Sequence, residues 1–183
     1  VAVGKKWGFI NAKVEMVIEP SFDSVRKGFT GGIAVVWLGS KQGCIDSRGR
    51  TVLECKYGYI KILCGGDLAA AWEETNRQYL LFNKKGKRIS TGYEIKNAAS
   101  LLDKDGAEIP GIAGIQKEWA WGIIDAKGKL LVEHQFEELK DHIRFHENLM
   151  EVTAISGAWK GKSGYINSSG RIAIEPQFKK VSP

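Results

Sequence analysis

One short pattern returns five times along this chain, and its return restricts the fold more than any single motif does. It first appears as Trp7-Gly8-Phe9-Ile10-Asn11. It comes back as Gln42-Gly43-Cys44-Ile45-Asp46, Trp121-Gly122-Ile123-Ile124-Asp125 and Ser163-Gly164-Tyr165-Ile166-Asn167, with a degenerate copy at Tyr79-Leu80-Leu81-Phe82-Asn83. Three residues after the Asn or Asp stands Gly49, Gly86, Gly128 or Gly170; the first copy has Val14 there instead. A second apolar run follows and ends in an aromatic, as in Val17-Ile18-Glu19-Pro20-Ser21-Phe22 and Leu131-Val132-Glu133-His134-Gln135-Phe136. A third run separates the copies: Ile33-Ala34-Val35-Val36, Leu68-Ala69-Ala70-Ala71, Ile112-Ala113-Gly114-Ile115 and Leu149-Met150-Glu151-Val152, with Val1-Ala2-Val3 heading the first.

The turn between the first two runs is legible. Asp or Asn at its first position can accept bonds from the following backbone, and Gly at the fourth supplies positive φ. Val14 would be strained in that place, so a different turn is expected in the first copy. Short β-branched and aromatic runs around such turns predict a β-hairpin plus one further strand per unit. The stretch 94–111, with Asp103-Lys104-Asp105-Gly106, reads as an inserted loop or extra hairpin.

The fold class is therefore all-β: five tandem units of ~37 residues, stacked as an open array, with a closed propeller-like ring as the alternative. The whole of 1–183 reads as one repeat domain with units at about 1–32, 33–67, 68–111, 112–148 and 149–183. A lone unit of this size cannot bury its own apolar face, so neighbours must share cores. Truncating a junction aromatic such as Phe22 or Phe136 should then cost about 3–5 kcal/mol.

As a set, the copies resemble the WG-repeat family, named for the Trp-Gly pair that Trp7-Gly8 and Trp121-Gly122 keep intact. The departures are Gln42, Tyr79 and Ser163 for the Trp, Leu80 for the Gly and Val14 for the turn Gly. The resemblance implies a bacterial β-repeat array, often exported, envelope-associated or appended to other domains. It implies binding or scaffolding and no shared catalytic residues.

Composition narrows the functional classes. No apolar run approaches the ~18–20 residues of a membrane-spanning helix. The chain opens on Val1 with no leader-like segment after it, so any targeting segment has been removed or lies outside the sequence. Three cysteines without C-x-x-C spacing indicate neither a zinc ribbon nor a redox pair. Cys44 reads as a small buried thiol, and a disulfide among Cys44, Cys55 and Cys64 stays open. His142 and His146 stand four apart, but in a strand-like context that spacing is about 13 Å, too wide for one metal ion. Glu19, Glu54, Glu133 and Glu175 recur in register and read as the outward face of the second strand. No nucleophile, phosphate-loop or zinc-protease motif occurs, so no enzyme, cofactor or metal is expected.

What remains is recognition. The net charge of +6 favours anionic partners. Hairpin tips are basic throughout, with Arg48, Arg50, Lys84, Lys85, Lys87, Arg88, Lys127 and Lys129 as candidate contacts along one edge. Trp7 and Trp121 read as core. Trp37, Trp72, Trp119 and Trp159 are candidates for stacking on a ligand at unit junctions. A protein partner is the first expectation; an acidic surface, or a glycan held by the tryptophans, is the alternative. Nucleic acid is not expected, because phosphate tracking needs a concentrated basic face.

Overall fold

The computed structural model describes residues 1–137 and 144–179. Eighteen strands and two 3-10 turns, Cys64–Gly66 and Gly157–Trp159, make up its regular structure. They form five antiparallel meanders. Sheet one is β1 (Ala2–Val3), β2 (Lys6–Ile10) and β3 (Met16–Phe22). Sheet two is β4 (Ser24–Val25), β5 (Ile33–Leu38), β6 (Lys41–Asp46) and β7 (Thr51–Tyr57). Sheet three is β8 (Tyr59–Leu63), β9 (Leu68–Glu73), β10 (Gln78–Asn83) and β11 (Arg88–Ile89). Sheet four is β12 (Asn97–Leu102), β13 (Glu108–Lys117), β14 (Ala120–Asp125) and β15 (Leu130–Phe136). Sheet five is β16 (Leu149–Thr153), β17 (Lys162–Asn167) and β18 (Ile172–Lys179).

The chain is thus all-β and tandem, but the three central sheets carry a fourth strand, β4, β8 or β12, beyond the hairpin-plus-strand unit. Those strands share no pattern: Ser-Val, Tyr-Ile-Lys-Ile-Leu and Asn-Ala-Ala-Ser-Leu-Leu. Single residues, Asp23 and Gly58, separate β3 from β4 and β7 from β8, so the chain leaves one sheet at its edge and enters the next.

Four apolar clusters hold the five sheets, one at each junction. Along β5 the period-2 alternation of a strand divides the residues between two of them. Ala34 and Val36 pack with Ile18, Phe9 and Phe22 of sheet one. Ile33 and Val35 pack with Ile60, Ala69, Ala71, Leu80 and Phe82 of sheet three. The same division recurs on β9, where Leu68 and Ala70 turn to Ala98, Ala113 and Ile115 of sheet four. Leu101, Ile123 and Phe136 then meet Met150, Val152 and Ile166 of sheet five. A central strand with both faces covered reads as a continuous apolar run, which is why Ile33-Ala34-Val35-Val36 shows no polar alternation.

The array is open. Among the described residues no strand pairing, backbone hydrogen bond or core cluster joins sheet one to sheet five. Val3, Met16 and Val17 of sheet one and Phe178 of sheet five are correspondingly exposed. Trp7 departs from the core expectation. It is 40% exposed, whereas Trp121 at the equivalent place is 3% exposed. Trp7 shares a face with Phe22, and only the two residues of β4 stand opposite at that junction, against five of β8 at the next.

The hairpin turns are nearly identical. Asn11, Asp46, Asn83, Asp125 and Asn167 each accept at Oδ1 from the amides two and four residues on, at 2.8–3.1 Å. Asp103 does the same in the β12–β13 turn, so that segment is an extra hairpin rather than a loose insertion. The first turn is not different, contrary to expectation: Val14 itself adopts φ +65°, held by its amide bond to Asn11 O and by the Asn11 side chain. Together with the bond from Asn11 N to Glu15 O, these hydrogen bonds fix the turn and override the local preference. Val14 is 75% exposed and has little packing to lose. Val14→Gly should therefore stabilise the fold by about 1 kcal/mol, read as a raised urea midpoint at unchanged slope; a lowered midpoint would show that the valine is not strained.

The three cysteines are free. Cys44 and Cys64 are buried, and burial pushes both thiols up to about 12. The four recurring glutamates, Glu19, Glu54, Glu133 and Glu175, are exposed as expected. Among the described residues, only Glu54 of these forms an ion pair, with Lys56.

Candidate functional site

The twelve candidate contacts fall at opposite ends of the sheets. The Asp and Asn turns carrying the basic tips lie at one end of each hairpin. Trp37 and Trp72 lie at the other, paired across the sheet with Gln42 and Tyr79. At the tip end the units are in register. A Cβ added to Gly49, Gly86, Gly128 or Gly170 would meet Ile18, Val52, Ile89 or Leu131 of the preceding sheet. Each basic turn therefore rests on the unit before it. Arg50 is paired within its own turn with Asp46 at 2.6 Å, and Lys84 with Asp67 at 2.8 Å. Arg48, Lys85, Lys87, Arg88, Lys127 and Lys129 are exposed and have no ion pair among the described residues.

The four junction tryptophans do not make one platform. Trp119 is 84% exposed in the β13–β14 turn. Trp159 sits in the second 3-10 turn against the core between sheets four and five. Trp72 meets Tyr79 edge-to-face at 5.1 Å, and Trp37 lies 5.7 Å below the Arg26 guanidinium. Of the histidine pair, His142 lies outside the described residues, and His146 is exposed.

Sequence reasoning missed a cavity with a basic lining. A cavity of about 620 Å³ opens where sheets two, three and four meet. Its walls carry Arg26, Lys27 and Thr30 from the link after β4, Tyr59 and Lys61 from β8, and Ser100 and Glu108 from sheet four. Arg26 stacks over the Tyr59 ring at 4.5 Å and donates from Nη1 to Ile60 O at 3.3 Å. Guanidinium against an aromatic face is a favourable cation–π arrangement. Lys61 donates to Asn97 Oδ1 at 2.8 Å and to Ala98 O at 2.7 Å, and its ammonium lies 5.3 Å from the Tyr79 ring centroid. Burial, and then the charge of Arg26, hold the Lys61 ammonium below the ordinary lysine value. Glu108 accepts from the Ser100 hydroxyl. The lining thus has three cations against one carboxylate. Among the described residues none of Arg26, Lys27 and Lys61 forms an ion pair.

The departures from the repeat are compensated locally. Gln42, in the place of a tryptophan, is buried and accepts from the Ile60 amide at 2.7 Å, tying sheet two to β8. Ser163 shares a hydrogen bond with Thr153 at 3.2 Å. Leu80, in the place of a glycine, points into the core between sheets two and three.

The family model described as WG containing repeat matches residues 7–41, 121–149 and 164–183. No curated protein matches. Solved structures with likeness include Kluyveromyces lactis Hsv2p, at 12% identity and TM-score 0.43 over 93% of this chain and 63% of that one. Hsv2 of Kluyvelomyces marxianus gives 12% and 0.44 over 93% and 54%. A eukaryotic initiation factor gives 11% and 0.43 over 96% and 51%. The chain therefore spans about half to two thirds of the length of these structures. The matched stretches fall on the first, fourth and fifth hairpins, so WG-type repeats are present there.

Proposed function

We propose that this chain is a non-enzymatic β-repeat binding and scaffold module whose partner is a protein with an acidic surface. The observation that carries the reading is the registered edge of basic turns. Each turn is fixed by its Asp or Asn side chain and seated on the preceding sheet, so the cations are displayed on rigid backbone. Preorganised charge steers association and loses little freedom on binding. The glycan reading gains less support, since Trp37, Trp72, Trp119 and Trp159 are dispersed rather than aligned on one face.

Retention on immobilised polyglutamate tests the proposal. The unaltered chain should be retained at low salt and released as ionic strength rises, because screening removes exposed attraction beyond ~10 Å at 0.1 M. Reversing Lys84, Lys85 and Lys87 to Glu should abolish retention. Unchanged retention in that variant, or a saturable tryptophan fluorescence shift with polysaccharide and none with polyglutamate, would overturn the reading.

A further inference from the structure

We propose that the cavity between sheets two, three and four, open to solvent at Arg26 and Lys27, is a second recognition site that takes a carboxylate side chain from an extended partner segment. The inference rests on the protein-binding reading but concerns different residues. Three cations, two on the link after β4 and one on β8, line one concavity, and among the described residues none has an anionic partner. Like charges gathered in a partly dry space repel one another, and an incoming carboxylate relieves that repulsion.

Arg26 and Lys61 are already oriented. The Arg26 guanidinium is held by the Tyr59 ring and Ile60 O, and the Lys61 ammonium by Asn97 and Ala98. Arg26 spends one N–H on Ile60 O, leaving others for the bidentate geometry a carboxylate accepts. Lys27 is exposed at the lip. Beside Thr30, Ser100 and Glu108 the lining has an apolar wall, in which Ile33, Val35 and Leu63 are buried. A volume of about 620 Å³ lies inside the ~300–1,000 Å³ range of ligand sites. Cations together with an apolar wall fit a carboxylate carried on a hydrophobic segment better than a bare anion. Glu108 is the lone acid of the lining and can accept a backbone N–H from such a segment.

Calorimetric titration of the full chain with the capped peptide acetyl-(Glu-Leu)3-amide tests this. Binding should be saturable and should weaken at least tenfold with acetyl-(Gln-Leu)3-amide. Lys27→Glu, at an exposed position that leaves the cores intact, should weaken the Glu peptide at least tenfold. Arg26→Gln should do likewise while far-UV circular dichroism stays unchanged. The tip variant with Lys84, Lys85 and Lys87 reversed should bind this short peptide within twofold of the unaltered chain. Loss that follows the tip variant instead of Lys27→Glu overturns the cavity site and leaves the basic-edge reading standing. Equal affinity for the Gln peptide, displacement by equimolar inorganic phosphate, or no binding at all also overturns it, whatever polyglutamate retention shows.

Discussion

Phe136→Ala is expected to destabilise the fold by about 3–5 kcal/mol, while Phe178→Ala, at the same place in the repeat, costs no more than about 1 kcal/mol. Both aromatics end the second hairpin strand and pair with the residue at the tryptophan position, Trp121 or Ser163. Their local sequence and register are alike. Their neighbours are not. Phe136 is 1% exposed within the core shared by sheets four and five, whereas Phe178 is 49% exposed on a face that, among the described residues, no sheet covers. If burial by the adjacent unit is what holds the array, the cost must follow the neighbour rather than the residue type. Phe22, half-buried against the core between sheets one and two, should fall between them, below the 3–5 kcal/mol that its repeat position alone suggests. Urea unfolding of the three variants followed by circular dichroism gives the comparison. Equal losses at Phe136 and Phe178 would mean that each hairpin stabilises itself.

Gly122→Ala should cost about 3 kcal/mol, at the upper end of what overpacking exacts. Gly122 does not need positive φ. What it lacks is room. A Cβ there would lie 2.7 Å from Val132 O and 3.2 Å from His134 Cδ2. The same carbonyl approach stands opposite Gly43, at 2.6 Å from Leu53 O, and Gly164, at 2.6 Å from Ile174 O. In each case the ladder shifts register beside the glycine, and the bulged outer strand bends a carbonyl against it. Sheet three explains the exception. Its outer strand, β11, has only Arg88 and Ile89, which pair with Phe82 and Leu81, so on that side no residue faces Leu80, whose partner is Ala71 of β9. Leucine fits there and fills the junction core. Leu80→Ala should accordingly cost about 2–5 kcal/mol, through lost packing rather than a clash. Thermal or urea melts of both variants check the pair; a neutral Gly122→Ala would refute the steric account of the repeat glycine.

The parts legible in the sequence were those set by local chemistry that recurs. The Asp and Asn turns, the outward glutamates and the apolar third runs could be read because each needs the same residue type in every copy. β4, β8 and β12 could not, since they pair through their backbones and the side chains they add to the cores, such as Ile60, Ala98 and Leu101, follow no common pattern. Missing them concealed the basic cavity, whose cations Arg26 and Lys61 lie 35 positions apart in no shared motif and meet only when sheets two and three stack. The second run of the third unit, Ile89-Ser90-Thr91-Gly92-Tyr93, forms a strand only at Arg88–Ile89, because Thr91 Oγ1 bonds to Tyr93 O at 2.8 Å and Gly92 takes φ +74°, turning the chain away. Trp7 was misjudged for a reason the sequence does not carry, namely how much of the next sheet stands opposite it.

The sharing of cores between neighbours is tested most directly by amide hydrogen exchange on the intact chain and on Phe136→Ala. The account expects amides of β13, β14 and β17 to lose protection together in the variant while those of β2 and β3 keep theirs, since stability passes between adjacent sheets and weakens with distance along the array. Loss confined to β14 and β15, or an equal loss in all five sheets, would contradict it.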